Sequence, residues 1–327
     1  MSDKTTIKPE ANKKNWNEIN DPSCLVVKPL VSVSMITYNH EKYIEEAINS
    51  VLMQETDFDV ELIISNDNSP DQTDTIIQRI LKEHPKSHWI KYIKHETNIG
   101  MVPNWMDNIQ RCSGKYIAVC EGDDYWTDKE KLIKQVRFLE LNPEYVISGH
   151  DAFIIDAQGN TVKDSKLPVE FQRDFSKEEL ILGKGFILTL SWVFRNVGFK
   201  HIPEHSKMLN SDRFIISLLG KYGKSKYQTD IKPSAYRVHQ GGVWSMLNQI
   251  EKRDGQINSL FWTYRYYQRI GEKKYAAHYW NMYIALTIPC AETKTNILAK
   301  ELIIRCIFLR EMRSVIPTLL VNIGLKR

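Results

Sequence analysis

Tyr116-Ile-Ala-Val-Cys-Glu-Gly-Asp-Asp-Tyr-Trp-Thr-Asp128 is the stretch on which the reading of this 327-residue chain turns. Five residues suited to a buried strand run straight into three carboxylates, Glu121, Asp123 and Asp124. Like charges bunched at one strand end repel unless a cation sits among them. Hard divalent cations take oxygen ligands and leave room for substrate phosphates, so the stretch predicts a metal ion carrying a phosphorylated ligand. The competing reading is a solvated acidic turn with Asp128 as the N-cap of a helix, the better reading for an Asp-Asp pair met in isolation.

The residues upstream of this stretch repeat its pattern. Leu30 to Ile36 alternates as a strand and is interrupted by Thr37-Tyr-Asn-His-Glu41. Ile44, Ala47, Ile48, Val51 and Leu52 then fall on one helical face. Val60 to Ile64 predicts a second strand ending in Ser65-Asn-Asp-Asn-Ser-Pro70; Ser69, Pro70 and Gln72 signal a capped helix carrying Ile76, Ile77, Ile80 and Leu81. A third strand is predicted over Trp89 to Ile93, a short helix over Val102 to Arg111, and the fourth strand over Tyr116 to Cys120. This β-α-β-α-β-α-β order, spread over about ninety residues, predicts an α/β fold with a mainly parallel sheet and helices on both faces. Ligands of such sheets bind beyond the carboxyl ends of the strands. Polar residues gather there four times: Thr37 and Tyr38, Asp67, Asn98 and Gly100, and Glu121 to Asp124. Polar loops explain any one of these groups; the recurrence favours a site.

The bulk composition is that of an ordinary globular protein: 42% hydrophobic, 26% charged, net charge +4 from 44 basic and 40 acidic residues. That balance excludes a dedicated nucleic-acid binder. Cys24, Cys112, Cys120, Cys290 and Cys306 include no C-x-x-C pair and read as reduced thiols of a cytoplasmic protein. The segment 1–29 reads as a flexible leader without the apolar core of a signal peptide, and no run of 18 apolar residues predicts a membrane span.

Downstream, Leu132, Ile133, Val136 and Leu139 mark a helix, and Tyr145 to Ile155 reads as one strand leading into a hairpin turn at Asp156 to Asn160. Ser176 with Glu179 forms a second capping box. Phe186 to Arg195 is apolar enough for a strand or buried connection and offers Thr189, Ser191, Trp192 and Arg195 as ligand contacts on the acceptor side. Asp212 heads a helix with Phe214, Ile215, Leu218 and Leu219 on its apolar face, where it could equally serve only to complement the helix dipole. Ala235 to Ser245 ends a strand in a loop with Arg237, His239 and two adjacent glycines, suited to an anion or a metal. From Met246 a helical extension, 246–327, is rich in aromatic and basic residues. Its last segment either lies on an anionic membrane surface at the inner face of the cell membrane or docks on its own domain, and docking is preferred.

Taken in order, these motifs resemble family 2 glycosyltransferases of the GT-A, Rossmann-like fold. Val31-Ser-Val-Ser-Met-Ile-Thr-Tyr-Asn39 resembles the family's first strand and nucleotide-binding turn. Ile63-Ile-Ser-Asn-Asp-Asn-Ser-Pro-Asp-Gln-Thr73 resembles its Asp-Asp-x-Ser-x-Asp-x-Thr motif, with Asn66 in place of the first aspartate. Glu121-Gly-Asp-Asp124 matches the D-x-D motif with Glu at its first position. The likeness spans Val31 to Ser245 and implies a catalytic domain over 30–245, with a nucleotide-binding half (30–125) and an acceptor-side half (126–245). It implies a donor site of Thr37, Tyr38, Asn39, Asp67 (reading the base), Asn98, Gly100, Glu121, Asp123, Asp124, Arg237, Trp244 and Ser245. Mn²⁺ or Mg²⁺ would be held by Asp123, Asp124 and His239, with Asp123 preferred, and Asp212 would be the catalytic base. The implied reaction is inverting transfer from a nucleotide-diphosphate sugar, UDP by default, to a glycan or lipid-linked acceptor, as in bacterial surface polysaccharide synthesis. Two alternatives remain: a nucleotidyltransferase that makes nucleotide sugars, disfavoured because Thr37 to Tyr43 has no glycine to cradle a triphosphate, and a non-catalytic sugar-nucleotide or partner-binding protein on the same fold.

Overall fold

The computed structural model describes residues 16–19, 28–199, 202–242 and 246–287. At its centre four parallel strands, β2 (Val31–Thr37), β3 (Val60–Asn66), β4 (Ile90–His95) and β5 (Tyr116–Val119), alternate with helices α1 (Ile44–Leu52), α2 (Thr73–Glu83) and α3 (Met101–Arg111). Side chains of adjacent strand residues point to opposite faces, and the burial follows that rule. Val31, Val33, Met35, Leu62, Ile64, Tyr116 and Ala118 join one core with α1, α2 and α4 (Lys131–Leu141). On the opposite face lies α3, whose buried Asn108 donates from Nδ2 to the carbonyls of Ile63 (3.0 Å) and Met35 (3.3 Å).

Five further strands belong to these layers: β6 (Tyr145–Gly149), β7 (Ala152–Ile155), β8 (Thr161–Lys163), β9 (Val193–Arg195) and β10 (Lys224–Tyr227). With β1 (Trp16–Ile19) they complete an eight-stranded sheet of order β1-β4-β3-β2-β5-β9-β6-β10 and begin a small sheet of order β11-β7-β8, with β11 at Ser234–Arg237. Only β1 and β9 run against the parallel direction of the large sheet. Two short helices, α5 (Lys177–Ile181) and α6 (Asp212–Leu219), pack on one another beside β10.

Three expectations are corrected. Trp16–Ile19 lies inside the segment expected as a leader, yet it pairs with β4 from Trp16↔His95 to Ile19↔Tyr92, and the Arg111 guanidinium covers the Trp16 ring at 3.8 Å. Ser69 and Gln72 do not cap α2, which begins at Thr73; Ser69 Oγ is committed to Asn66 Oδ1 at 2.7 Å. The strand expected over Tyr145 to Ile155 breaks at His150-Asp151, and its halves join different sheets. Asp151 drives the break by accepting the N–H groups of Ala152 (2.7 Å) and Leu167 (2.8 Å) and the hydroxyl of Ser165 (2.6 Å). The box at Ser176 and Glu179 forms in full.

After Lys252 the chain divides into a second compact unit, seven residues beyond the expected boundary at Ser245. Its described part comprises the remainder of α7 (Gln249–Arg269) and α8 (Lys273–Thr287), joined by aromatic contacts in which Tyr267 stacks on Tyr279 and Tyr264 meets Trp280 at 5.0 Å. Among the described residues no helix is long and apolar enough to cross a membrane. The segment 288–327, over which basic helices were expected from the sequence, lies outside them, as do Cys24, Cys290 and Cys306.

Candidate active site

The carboxyl ends of β2 to β5 meet at one edge, and hydrogen bonds lace their turns together. Asn39 N–H donates to Ser69 Oγ (3.0 Å), His40 N–H to Thr73 Oγ1 (3.0 Å), Glu41 N–H to Asp71 Oδ2 (2.9 Å), and Gln72 N–H back to Glu41 Oε2 (2.9 Å). Asn39 (φ 61°) and Asn68 (φ 57°) both take the left-handed conformation that asparagine tolerates better than most residues. The turn leaves Tyr38 45% exposed at the edge while Thr37 is buried. Asp67 ties the end of β3 to the loop after β4: its carboxylate accepts the N–H of Ile99 (2.7 Å) and of Gly100 (2.9 Å). Asn98 Oδ1 accepts the same Gly100 N–H at 3.1 Å, and Gly100, at φ 90°, holds a geometry that favours glycine.

The acidic stretch follows β5 as a shelf against these turns. Gly122 N–H donates to Ile36 O (3.0 Å), so closely that a Cβ at position 122 would lie 2.8 Å from Thr37 Oγ1 and 3.0 Å from His40 Nδ1. Only glycine lets the shelf approach β2. That approach sets His40 beside Asp123: Nδ1 is 3.2 Å from Thr37 Oγ1, and Nε2 is 3.9 Å from Asp123 Oδ2. From the loop just after β11 comes His239, with Nε2 3.1 Å from the same oxygen. One ligand atom from each of His40, Asp123 and His239 lies within 4.8 Å of the other two. Two imidazoles and a carboxylate converging in this way fit a divalent transition-metal ion. Gly241 N–H lies 3.2 Å from His239 Nδ1 and helps hold the ring with its Nε2 toward Asp123.

The surroundings push the four carboxylates of the site in different directions. Burial pushes Asp123 upward, but His40 and the hydrogen-bonded His239 outweigh it and hold its carboxyl below the usual range. Burial and then Asp123 and Asp212 raise Glu121 to about 8. Asp124 is raised well above its ordinary value by burial, Asp123 and Glu121. Burial raises Asp212 as well, partly offset by a hydrogen bond from Thr189 Oγ1 to its Oδ2 at 2.9 Å. The shelf therefore has two faces, one where Asp123 meets the imidazoles and one where the charges of Glu121 and Asp212 act on each other.

Several residues expected at the site have other work. Buried Asp124 is outside the metal trio; its Oδ1 accepts the Arg237 N–H at 2.8 Å and so locks β11 to the shelf. Arg237 was expected to face the donor, but its guanidinium turns inward, to Glu46 Oε2 (2.5 Å) and Asp123 O (3.0 Å), over the Tyr43 ring. Thr189 does reach Asp212, whereas Ser191 and Trp192 are fully buried, donating to the carbonyls of Leu188 and Ile187. Arg195 is not brought to the site at all. It pairs with Tyr116 at the start of β5, at the far end of the strand, and donates to the carbonyls of Tyr145 (2.8 Å), Asn142 (3.3 Å) and Leu139, the last two at the end of α4. Trp244 and Ser245 lie outside the described residues. His40 was not read from the sequence as a member of this cluster; its place three residues past the first strand, in a turn already read as polar, was the available signal.

A mainly parallel sheet whose carboxyl edge carries a laced turn, an acidic shelf and a downstream carboxylate has the architecture of the GT-A glycosyltransferases. TarS of S. aureus (residues 1–349), solved with UDP-GlcNAc, superposes at a TM-score of 0.51 with 16% identity, covering 78% of this chain and 81% of that one. The mannosyltransferase PcManGT of Pyrobaculum calidifontis, solved with GDP-Man and Mn²⁺, gives 0.51 at 16% identity over 89% and 84%. The chain belongs to glycosyl transferase family 2, whose profile matches residues 32–198. It is 35% identical over 216 residues to an uncharacterized protein of Mycobacterium tuberculosis, a match covering 65% of this chain and 60% of that one. It is 37% identical over 159 residues to TuaG of Bacillus subtilis, a putative teichuronic acid biosynthesis glycosyltransferase, covering 48% and 60%. The chain thus spans 60% of the length of each of these two relatives.

Proposed function

We propose that this chain is an inverting glycosyltransferase that moves a sugar from a nucleotide-diphosphate donor to a hydroxyl of a glycan or lipid-linked acceptor. The observation that carries the reading is the two-faced shelf: a His-Asp-His cluster on one face and a hydrogen-bonded, partly buried carboxylate on the other. Thr37, Tyr38, Asn39 and Asp67 form the nucleotide pocket between the laced turns, with Asn98 and Gly100 at its rim; both Asp67 oxygens keep a lone pair free beyond their backbone bonds. His40, Asp123 and His239 hold a divalent cation, while Asp124 and Arg237 fix the shelf rather than touch the ligand. When bound, the cation neutralises the charge that builds on the departing diphosphate. Asp212 takes the proton from the acceptor hydroxyl as it attacks, and the Thr189 hydroxyl fixes the direction of its carboxylate. One base, with no second carboxylate assigned as nucleophile, suits a single in-line displacement.

UDP is the donor nucleotide favoured by the family resemblance and supported by the UDP-GlcNAc complex of TarS; the GDP-Man complex of PcManGT names the rival. The kinship with TuaG, a putative teichuronic acid biosynthesis glycosyltransferase, supports a place in polysaccharide synthesis. Thermal stabilisation by a panel of UDP- and GDP-sugars, each with and without Mn²⁺, tests nucleotide, sugar and metal together. Stabilisation by a UDP-sugar that requires Mn²⁺ is expected; a flat panel sinks the proposal.

A further inference from the structure

Lys166 stands beside this machinery with its ammonium over an aromatic ring. Among the described residues no carboxylate pairs with its ammonium, which lies 3.4 Å over the ring of Tyr236. Both neighbours of this contact are tied to the site. Tyr236 precedes Arg237 on β11, whose N–H holds Asp124. Leu167 follows Lys166 and packs with Leu188 and Leu190, which flank Thr189, the residue that holds Asp212. Lys166 is therefore anchored on the Glu121 and Asp212 face. The charges acting on it agree: Asp124 and Glu121 attract it, while Lys163 and Lys252 repel it, and burial works against its charge. Asp123, by contrast, is governed by the two histidines on the other face. Lys163, exposed on β8, likewise has no carboxylate partner among the described residues.

Two ammonium groups that repel each other, one of them half-buried, are stabilised when a ligand brings an anion. On the donor side the diphosphate is served by the cation cluster, across the shelf. We infer that Lys166 and Lys163 receive an anionic substituent of the acceptor, so that the acceptor is an acidic chain bearing carboxylates or phosphates rather than a neutral glycan. Tyr236 supplies an aromatic face beside them for the sugar or polyol to which the anion is attached. This inference rests on the proposed function, because it takes the Asp212 face as the acceptor's.

The test uses the full chain, with and without saturating UDP and Mn²⁺. Calorimetric titrations compare a glucuronic acid oligomer, a glycerol phosphate oligomer and an uncharged glucose oligomer of equal length, at low and high salt. The wild type should bind at least one acidic oligomer about tenfold or more tighter than the neutral one, as charged hydrogen bonds allow, with the margin shrinking as salt rises. Which oligomer wins identifies carboxylate or phosphate. Lys163→Gln/Lys166→Gln should abolish the margin and leave UDP affinity unchanged. Equal binding of acidic and neutral oligomers by the wild type, or an undiminished margin in the double variant, overturns the inference. A loss of UDP affinity in that variant also overturns it, because it moves the lysines to the donor. Failure of the wild type to bind UDP would refute the donor reading by itself, while the UDP-free titrations still report on the lysines.

Discussion

Asp212→Asn isolates the proposed base from everything that holds it. The side chains are nearly isosteric, and Thr189 Oγ1, 2.9 Å from the carboxylate, can donate equally well to the Asn amide oxygen. The fold should therefore survive; removing a partly buried charge that burial disfavours costs little and can even stabilise. What is lost is the proton acceptor. General-base catalysis contributes roughly 10²–10⁴-fold, so kcat should fall by that factor, about 3–5 kcal/mol of barrier. UDP affinity with Mn²⁺ should not move. The pH profile adds a second reading. The base works only when deprotonated, and burial raises its folded-state pKa, so wild-type activity should fall as pH drops through that raised value. Thr189→Val removes the bond that opposes the rise, and should shift the acidic limb to higher pH. Steady-state transfer assays across pH, paired with UDP titrations, measure both. If Asp212→Asn transfers within about tenfold of wild type and keeps its acidic limb, Asp212 is not the base.

Three further outcomes follow from the geometry. His40→Ala should weaken Mn²⁺ binding by more than about tenfold, read by electron paramagnetic resonance titration, with metal-free UDP binding unchanged; equal Mn²⁺ affinity would remove His40 from the ligand set. Asp67→Ala frees the Ile99 and Gly100 N–H groups and should raise the Kd for UDP while leaving Mn²⁺ binding alone, whereas an unchanged Kd would separate that loop from the nucleotide. Arg195→Met should destabilise by about 3 kcal/mol, lowering Tm by roughly 5 °C, with UDP binding intact. It loses donors to the Tyr145, Asn142 and Leu139 carbonyls far from the site, and a selective loss of ligand affinity would contradict that placement.

The parts of the fold legible in the sequence are those that local chemistry dictates. Alternating strands and apolar helix faces predicted β2 to β5 and α1 to α4 to within a few residues, because periodicity reports a buried face wherever one exists. The capping box at Ser176 was readable because both partners lie within one turn. The same signal misled at Ser69, whose hydroxyl had a nearer partner in Asn66. β10 went unseen because Lys-Ser-Lys-Tyr227 carries no apolar alternation; Ser225 is buried and its hydroxyl accepts the Phe175 N–H. Arg195 looked like a ligand contact because an arginine in an apolar run has to be satisfied by something, and sequence cannot show that the partners are carbonyls at the end of α4.

By itself the sequence determined that a parallel sheet would present polar turns at one edge, that three carboxylates would sit there, and that an aspartate would head a later helix. Those follow from periods of two and of three to four residues, which act over short stretches of chain. Tertiary structure decided how the work is divided among them. It brought His40 and His239 to Asp123, turned Asp124 to the backbone of Arg237, set Thr189 on Asp212 and left Lys166 without a carboxylate partner among the described residues. Each of these joins residues far apart in the chain, and the close approach at Gly122 that seats His40 beside the shelf exists only once β2 and β5 lie side by side.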